Sequence, residues 1–147
     1  MSFILTQIIK KKLPEWNERI LTEEDFYAYC QRDKVRVMES ELFKHRGEYT
    51  IHDNICFILL QTKLKYGEKL WVGFHELGHH LLHYPVPHKF SKGYWRRMDR
   101  EANFFAAIAL IPTWLVESKT FGEMMEEYNY PKELIEIRKE IFEVYGI

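Results

Sequence analysis

The sequence predicts an α+β fold, mainly helical, with a small antiparallel or mixed β-sheet packed on one central helix. Three observations point there. Apolar residues recur at helical spacing near both ends and through residues 67–84. Between them, Val35 and Val37 alternate with charged residues, and Ile55 to Leu60 is a continuous apolar run of strand length. Prolines stand where those periods break, as expected of residues that end helices.

Taken in order, Phe3, Ile4, Ile8 and Ile9 lie at helical spacing in an opening helix limited by Pro14. Thr22 can cap a second helix, with Glu23, Glu24 and Asp25 in its first turn and Phe26, Tyr27 and Cys30 inward. Val35 and Val37 mark a strand. Tyr49 to His52 and Ile55 to Leu60 then read as two strands joined at Asp53-Asn54. The second of these should be central, because an uninterrupted apolar run suits a strand buried on both faces. The helical period resumes from Gly67 to Tyr84 and is closed by Pro85 and Pro87. A loop through Phe90, Ser91, Lys92 and Gly93 leads to a helix from about Tyr94 to Ile111, stopped before Pro112. Short helices follow, the last from Pro131 to about Val144, with Leu134, Ile137, Ile141 and Val144 as its core face.

At 147 residues the chain has the length of one domain, covering residues 1–147, and no repeat or low-complexity linker divides it. Hydrophobic residues make up 46% and aromatics 16%, which argues for a compact core. A net charge of −1 supplies no field for nucleic acid or anionic lipid, so neither is an expected partner. Cys30 and Cys56 belong to no paired motif and read as buried thiols. The basic cluster Lys10 to Lys12 follows the first apolar stretch, the reverse of a secretory signal. No apolar run approaches the roughly 18–20 residues that span a bilayer. The expected location is cytoplasmic.

Chemistry concentrates in Trp71 to Tyr84, W-V-G-F-H-E-L-G-H-H-L-L-H-Y, which holds four of the seven histidines. His75 and His79 are one helical turn apart on one face, with Cβ atoms about 5–6 Å apart. Both imidazoles can then reach one ion at about 2.0–2.1 Å. Glu76, offset by one residue, can lean over the site and deprotonate a metal-bound water. Gly78 costs about 1 kcal/mol in a helix against alanine, and its place beside the ligands allows another chain, or a substrate strand, to approach closely. His83 lies about 12 Å from His75 along the axis and suits an outer position or a C-terminal cation. His80 points about 100° from His79, and His45, His52 and His88 read as surface residues.

A catalytic zinc needs a third protein ligand and an open position. The next helix offers Glu101, which shares a face with Met98, Phe104, Phe105 and Ile108 and would carry its carboxylate toward an apolar interior. Asp99 competes, but Arg96, Arg100 and Asn103 suit a polar face, and it reads as a solvated acid at the helix start. Ala102, Ala106 and Ala109 would let the two helices pack closely, and Asn103 is a candidate to orient a ligand.

F-H-E-L-G-H-H-L-L-H followed by R-E-A-N-F-F-A-A-I-A-L-I-P resembles the ImmA/IrrE family of zinc metallo-endopeptidases, clearly over about Gly47 to Pro112. The resemblance implies a zincin-like, gluzincin-type fold with one Zn²⁺ per chain on His75, His79 and Glu101, and Glu76 as general base. It implies peptide-bond hydrolysis in a protein substrate, a helix-turn-helix transcriptional repressor of a phage, a mobile element or a stress response. Tyr49, Tyr84, His83 and Tyr94 are the candidate oxyanion donors. Neighbouring strands could hold an extended substrate by edge pairing. The alternative is a non-catalytic zincin scaffold that grips a repressor or antitoxin-like partner.

Overall fold

The computed structural model describes residues 2–90 and 96–147. Its architecture is α+β and zincin-like, with a four-stranded mixed sheet on one side of a long buried helix and a second helix on the other.

The chain opens with α1 (Ser2–Lys12). The expected helix is there, but it turns a different face inward. Leu5, Ile9 and Leu13 are buried, whereas Phe3 and Ile4 are 74% and 68% exposed. Apolar residues at 3, 4, 5, 8 and 9 fill more than one helical face, so tertiary packing chose among them. Beyond α1, Trp16 donates its indole N–H to the Phe105 carbonyl at 2.9 Å, and the Leu21 amide bonds to the Ala109 carbonyl at 2.9 Å. These bonds dock the N-terminal segment along a later helix. Helix α2 (Glu23–Arg32) begins in a capping box: Thr22 Oγ1 accepts from the Asp25 amide, and the Asp25 carboxylate accepts from the Thr22 amide.

Strands β1 (Val35–Ser40), β2 (Gly47–His52), β3 (Ile55–Gln61) and β4 (His88–Lys89) form a sheet in the order β1-β3-β2-β4. The continuous apolar run, β3, is indeed interior, parallel to β1 and antiparallel to β2. Asp53 and Asn54 both have positive φ, 52° and 64°, the requirement of a tight type I′ hairpin turn. Its register pairs Tyr49 with Ile58 and Gly47 with Leu60, all four buried.

Helix α3 (Tyr66–His83) carries the histidines and is buried continuously from Leu70 to His79, as a helix covered on both sides must be. On one side lies the sheet. On the other lies α4 (Arg97–Leu110), buried without interruption from Ala102 to its end. Gly78 explains how closely α3 and α4 approach: a Cβ there would sit 3.0 Å from Phe105 Cδ2 and 3.3 Å from Ala102 Cα. The chain admitted by this glycine is therefore α4. The rest of the chain, α5 (Thr113–Ser118), α6 (Phe121–Tyr128) and α7 (Lys132–Tyr145), closes the far end of α4. Leu134 and Ile141 of α7 are buried as expected, but Val144, in the last turn before the Gly146 cap, is 63% exposed.

Cys30 and Cys56 are free and buried. Among the described residues, no helix is long and apolar enough to cross a membrane. Ser91, Lys92, Gly93 and Tyr94, expected to form a loop and a helix start, lie outside the described residues.

Candidate metal centre

His75 and His79 share one face of α3, and their Nε2 atoms are 3.1 Å apart. Both side chains are fully buried, as is Glu76. Two imidazole nitrogens this close are ordinarily joined by a proton. The partners on the other ring nitrogens say otherwise.

His75 Nδ1 lies 2.7 Å from Asn103 Oδ1, and the same oxygen accepts from Trp71 Nε1–H at 3.2 Å. An indole N–H can only donate, so the amide oxygen must face this way and His75 Nδ1 must carry the hydrogen. His75 Nε2 is thereby left as a bare lone pair. A second chain of contacts does the same for His79. Glu101 Oε1 accepts from His83 Nε2 at 2.8 Å, leaving His83 Nδ1 as acceptor for His79 Nδ1–H at 2.9 Å. His79 Nε2 is then bare too. Two lone pairs face each other in the interior.

Asp99 Oδ1 supplies the third atom. It lies 3.5 Å from His75 Nε2 and 3.4 Å from His79 Nε2, is buried, and has no hydrogen aligned on it. Four ligands at 2.0–2.1 Å around a tetrahedral ion stand about 3.3–3.4 Å apart. The triangle of His75 Nε2, His79 Nε2 and Asp99 Oδ1 has edges of 3.1, 3.4 and 3.5 Å, close to one face of that tetrahedron. Unshared donor atoms that converge at this spacing fit a divalent cation.

His88 completes the group. Its ligating atom joins those of His75, His79 and Asp99, all within 4.8 Å of one another. Its Nδ1 is 2.6 Å from Glu76 Oε1, its Nε2 is 2.5 Å from Asp99 Oδ1, and its ring stacks on His79 at 3.8 Å between centroids. Electrostatics follow from this crowding. Burial, joined by neighbouring imidazoles, drives the His79 pKa far below its ordinary value. Burial raises Glu76 above the usual carboxylate range, although His88 and His75 pull the other way. Burial would also raise Asp99, yet the imidazoles around it hold it well below that range.

The structure brings some residues of the site read from the sequence together and leaves another outside the group. His75, His79 and Glu76 are together. Glu101 is not among the converging atoms; its carboxylate rests on His83, on the far side of that ring from His79. Positions 99 and 101 differ by about 200° around a helix, so the orientation of α4 that aims Asp99 at the imidazole pair carries Glu101 away from it. Asp99 stands four residues before Asn103 and shares its face, a spacing that could have been read from the sequence. His88, taken for a surface residue, had no such signal. A two-residue strand reaches the site only through its pairing with β2, where His88 lies opposite Tyr49. Of the oxyanion candidates, Tyr49 is buried with its hydroxyl on His80 Nδ1 at 2.6 Å, and Tyr84 is 56% exposed. His83 is engaged by His79 and Glu101. Tyr94 lies outside the described residues.

A histidine pair, an adjacent buried glutamate and a carboxylate from a second helix form a candidate metal centre on an α+β scaffold. The family model of the IrrE N-terminal-like domain, Peptidase_M78, matches residues 30–145, and the chain belongs to that family. No curated protein matches the chain.

Proposed function

We propose that this protein is a zinc-dependent endopeptidase in which His75, His79 and Asp99 hold the ion and Glu76 is the general base. The observation that carries the reading is the convergence of two bare Nε2 atoms and the buried Asp99 oxygen beside a buried carboxylate. Membership of a peptidase family supports hydrolysis as the reaction. A zinc ion bound there supplies Lewis acidity, which acidifies water and polarises a carbonyl.

The protein side chains do the rest. Asn103 and the His83–Glu101 pair hold the two imidazoles in the tautomer that offers Nε2 inward. Glu76, raised by burial, is a stronger base than an exposed carboxylate. It takes a proton from the attacking water and returns it to the leaving amine, so the carboxylate is regenerated. The substrate class is a protein presented as an extended segment, and a helix-turn-helix repressor is the target favoured by the resemblance to the ImmA/IrrE family.

The test is Glu76→Gln, which keeps the shape of the side chain but removes the base. Zinc content should remain at about one per chain while cleavage of a repressor substrate falls by about 10²–10⁴-fold. Undiminished cleavage in that variant would remove Glu76 from the mechanism, and zinc-free wild-type protein with full activity would remove the metal.

A further inference from the structure

A hydrolytic site must admit water and a peptide, yet Glu76, His75 and His79 have no exposed surface at all. Among the described residues, His88 lies against all three. Its ring is 5.1 Å from that of His75 and stacked on that of His79, and its Nδ1 lies 2.6 and 3.0 Å from the two Glu76 oxygens. Its Nε2 points into the group formed by the other three donor atoms.

From this geometry, and resting on the zinc site proposed above, we infer that His88 is a fourth protein ligand that shuts the metal centre in its resting state. Nδ1–H donates to Glu76, and Nε2 is free to coordinate. This is a carboxylate–histidine–metal arrangement, in which the acceptor is the very carboxylate needed as base. One side chain thus fills the fourth position and engages Glu76 at once. A site with four protein ligands behaves as a closed, structural zinc site. To reach the spacing of ligands on one ion the His88 ring must shift: its 2.5 Å separation from Asp99 widens by about 1 Å, and its nitrogen closes on the other imidazoles from within a group that spans up to 4.8 Å.

The backbone around His88 is held while its side chain is the movable part. β4 pairs with β2 at Glu48 and Tyr49, and the Phe90 amide bonds to the Gly47 carbonyl at 2.8 Å. Phe90 itself is buried, edge-on to Trp71 at 5.3 Å and to His75 at 4.8 Å. Rotation of the His88 side chain out of the group opens the fourth position and releases Glu76 without unfolding β4. The vacated position would then be open to the attacking water and the peptide that hydrolysis needs. Hydrolysis is therefore confined to substrates whose binding displaces His88.

The test is ligand counting on metal-loaded protein. X-ray absorption of the wild-type zinc form should show three imidazoles, and His88→Ala should show two. In the cobalt-loaded forms, azide should alter the visible spectrum of His88→Ala and leave the wild type unchanged. Zinc affinity should fall roughly tenfold or more in the variant, at least the loss that even an outer partner of a ligand causes. Two imidazoles in the wild type, or an azide response equal to that of the variant, overturns the inference and leaves the zinc site standing. Failure of the wild type to bind zinc overturns both. If His88→Ala does not fold, the imidazole count and azide response of the wild type decide alone.

Discussion

Among the described residues, two regions bury charged or imidazole side chains completely, and they resolve the cost in opposite ways. Arg138 on α7 has no exposed surface, yet its donors meet the Ile111 carbonyl at 2.5 Å, the Ile147 carbonyl at 2.6 Å and Thr113 Oγ1 at 3.4 Å. Burial lowers its pKa to about 10, which still leaves it charged at neutral pH. That region contains its own cation, surrounded by oxygens. Around His75 and His79 the acceptors are present and the cation is not part of the chain: two lone pairs and a carboxylate oxygen converge. Satisfied burial marks architecture, whereas converging unsatisfied acceptors mark a binding site. Folding completes the first region; the second is the region for which a metal ligand is proposed.

Substitution can break this contrast. Arg138→Met should cost the larger amount of folding stability, about 1–3 kcal/mol in urea unfolding, because it orphans the buried Ile111 carbonyl and removes the bond to the half-buried Ile147. Zinc stoichiometry should stay unchanged in the folded fraction; a parallel loss of zinc would mean that the two regions are coupled. Asp99→Ala should act the other way. It removes the proposed ligand and should weaken zinc binding by more than about a hundredfold, read by competition with a chelator, while the metal-free protein unfolds near the wild-type midpoint.

Glu101→Gln sharpens the distinction between a ligand and its support. The amide still reaches His83 but accepts a weaker hydrogen bond, so zinc affinity should fall by about 10–100-fold, less than for Asp99→Ala. A loss larger than that of Asp99→Ala would restore Glu101 as the third ligand. The smallest effect belongs to a charge pair within reach of water. Asp25 bonds to Arg19, which lowers its pKa below 3.8, although burial opposes the shift. The unfolded state therefore takes up the proton first. Stability from this pair is present above pH 3.8 and is lost as pH falls through the depressed folded value. Asp25→Asn should cost about 1 kcal/mol or less at neutral pH, and the difference from wild type should vanish at strongly acidic pH.

Much of the scaffold was legible because its signals are local. Thr22 and Asp25 form their capping box within four residues, Asp53-Asn54 turns the hairpin, and the run from Ile55 to Leu60 is interior to the sheet. The His75–His79 spacing places two imidazoles on one face for the same reason: the helical repeat sets the angle between residues four apart. Local signals failed where one element offers several plausible faces. The apolar residues of α1 could not show that Leu5 rather than Phe3 is buried, and the acids of α4 could not show which of Asp99 and Glu101 faces α3.

The sequence by itself determined the helix that bears His75, Glu76 and His79, the hairpin beside it and the family to which the chain belongs. Tertiary structure alone decided that Asp99 joins the imidazoles, that Glu101 supports His79 through His83, and that His88 enters from the sheet edge. The physical reason is range. Periodicity relates side chains on one element through fixed backbone angles, whereas the meeting of α3, α4 and β4 depends on how Gly78, Ala102 and Phe90 let three separate backbones pack.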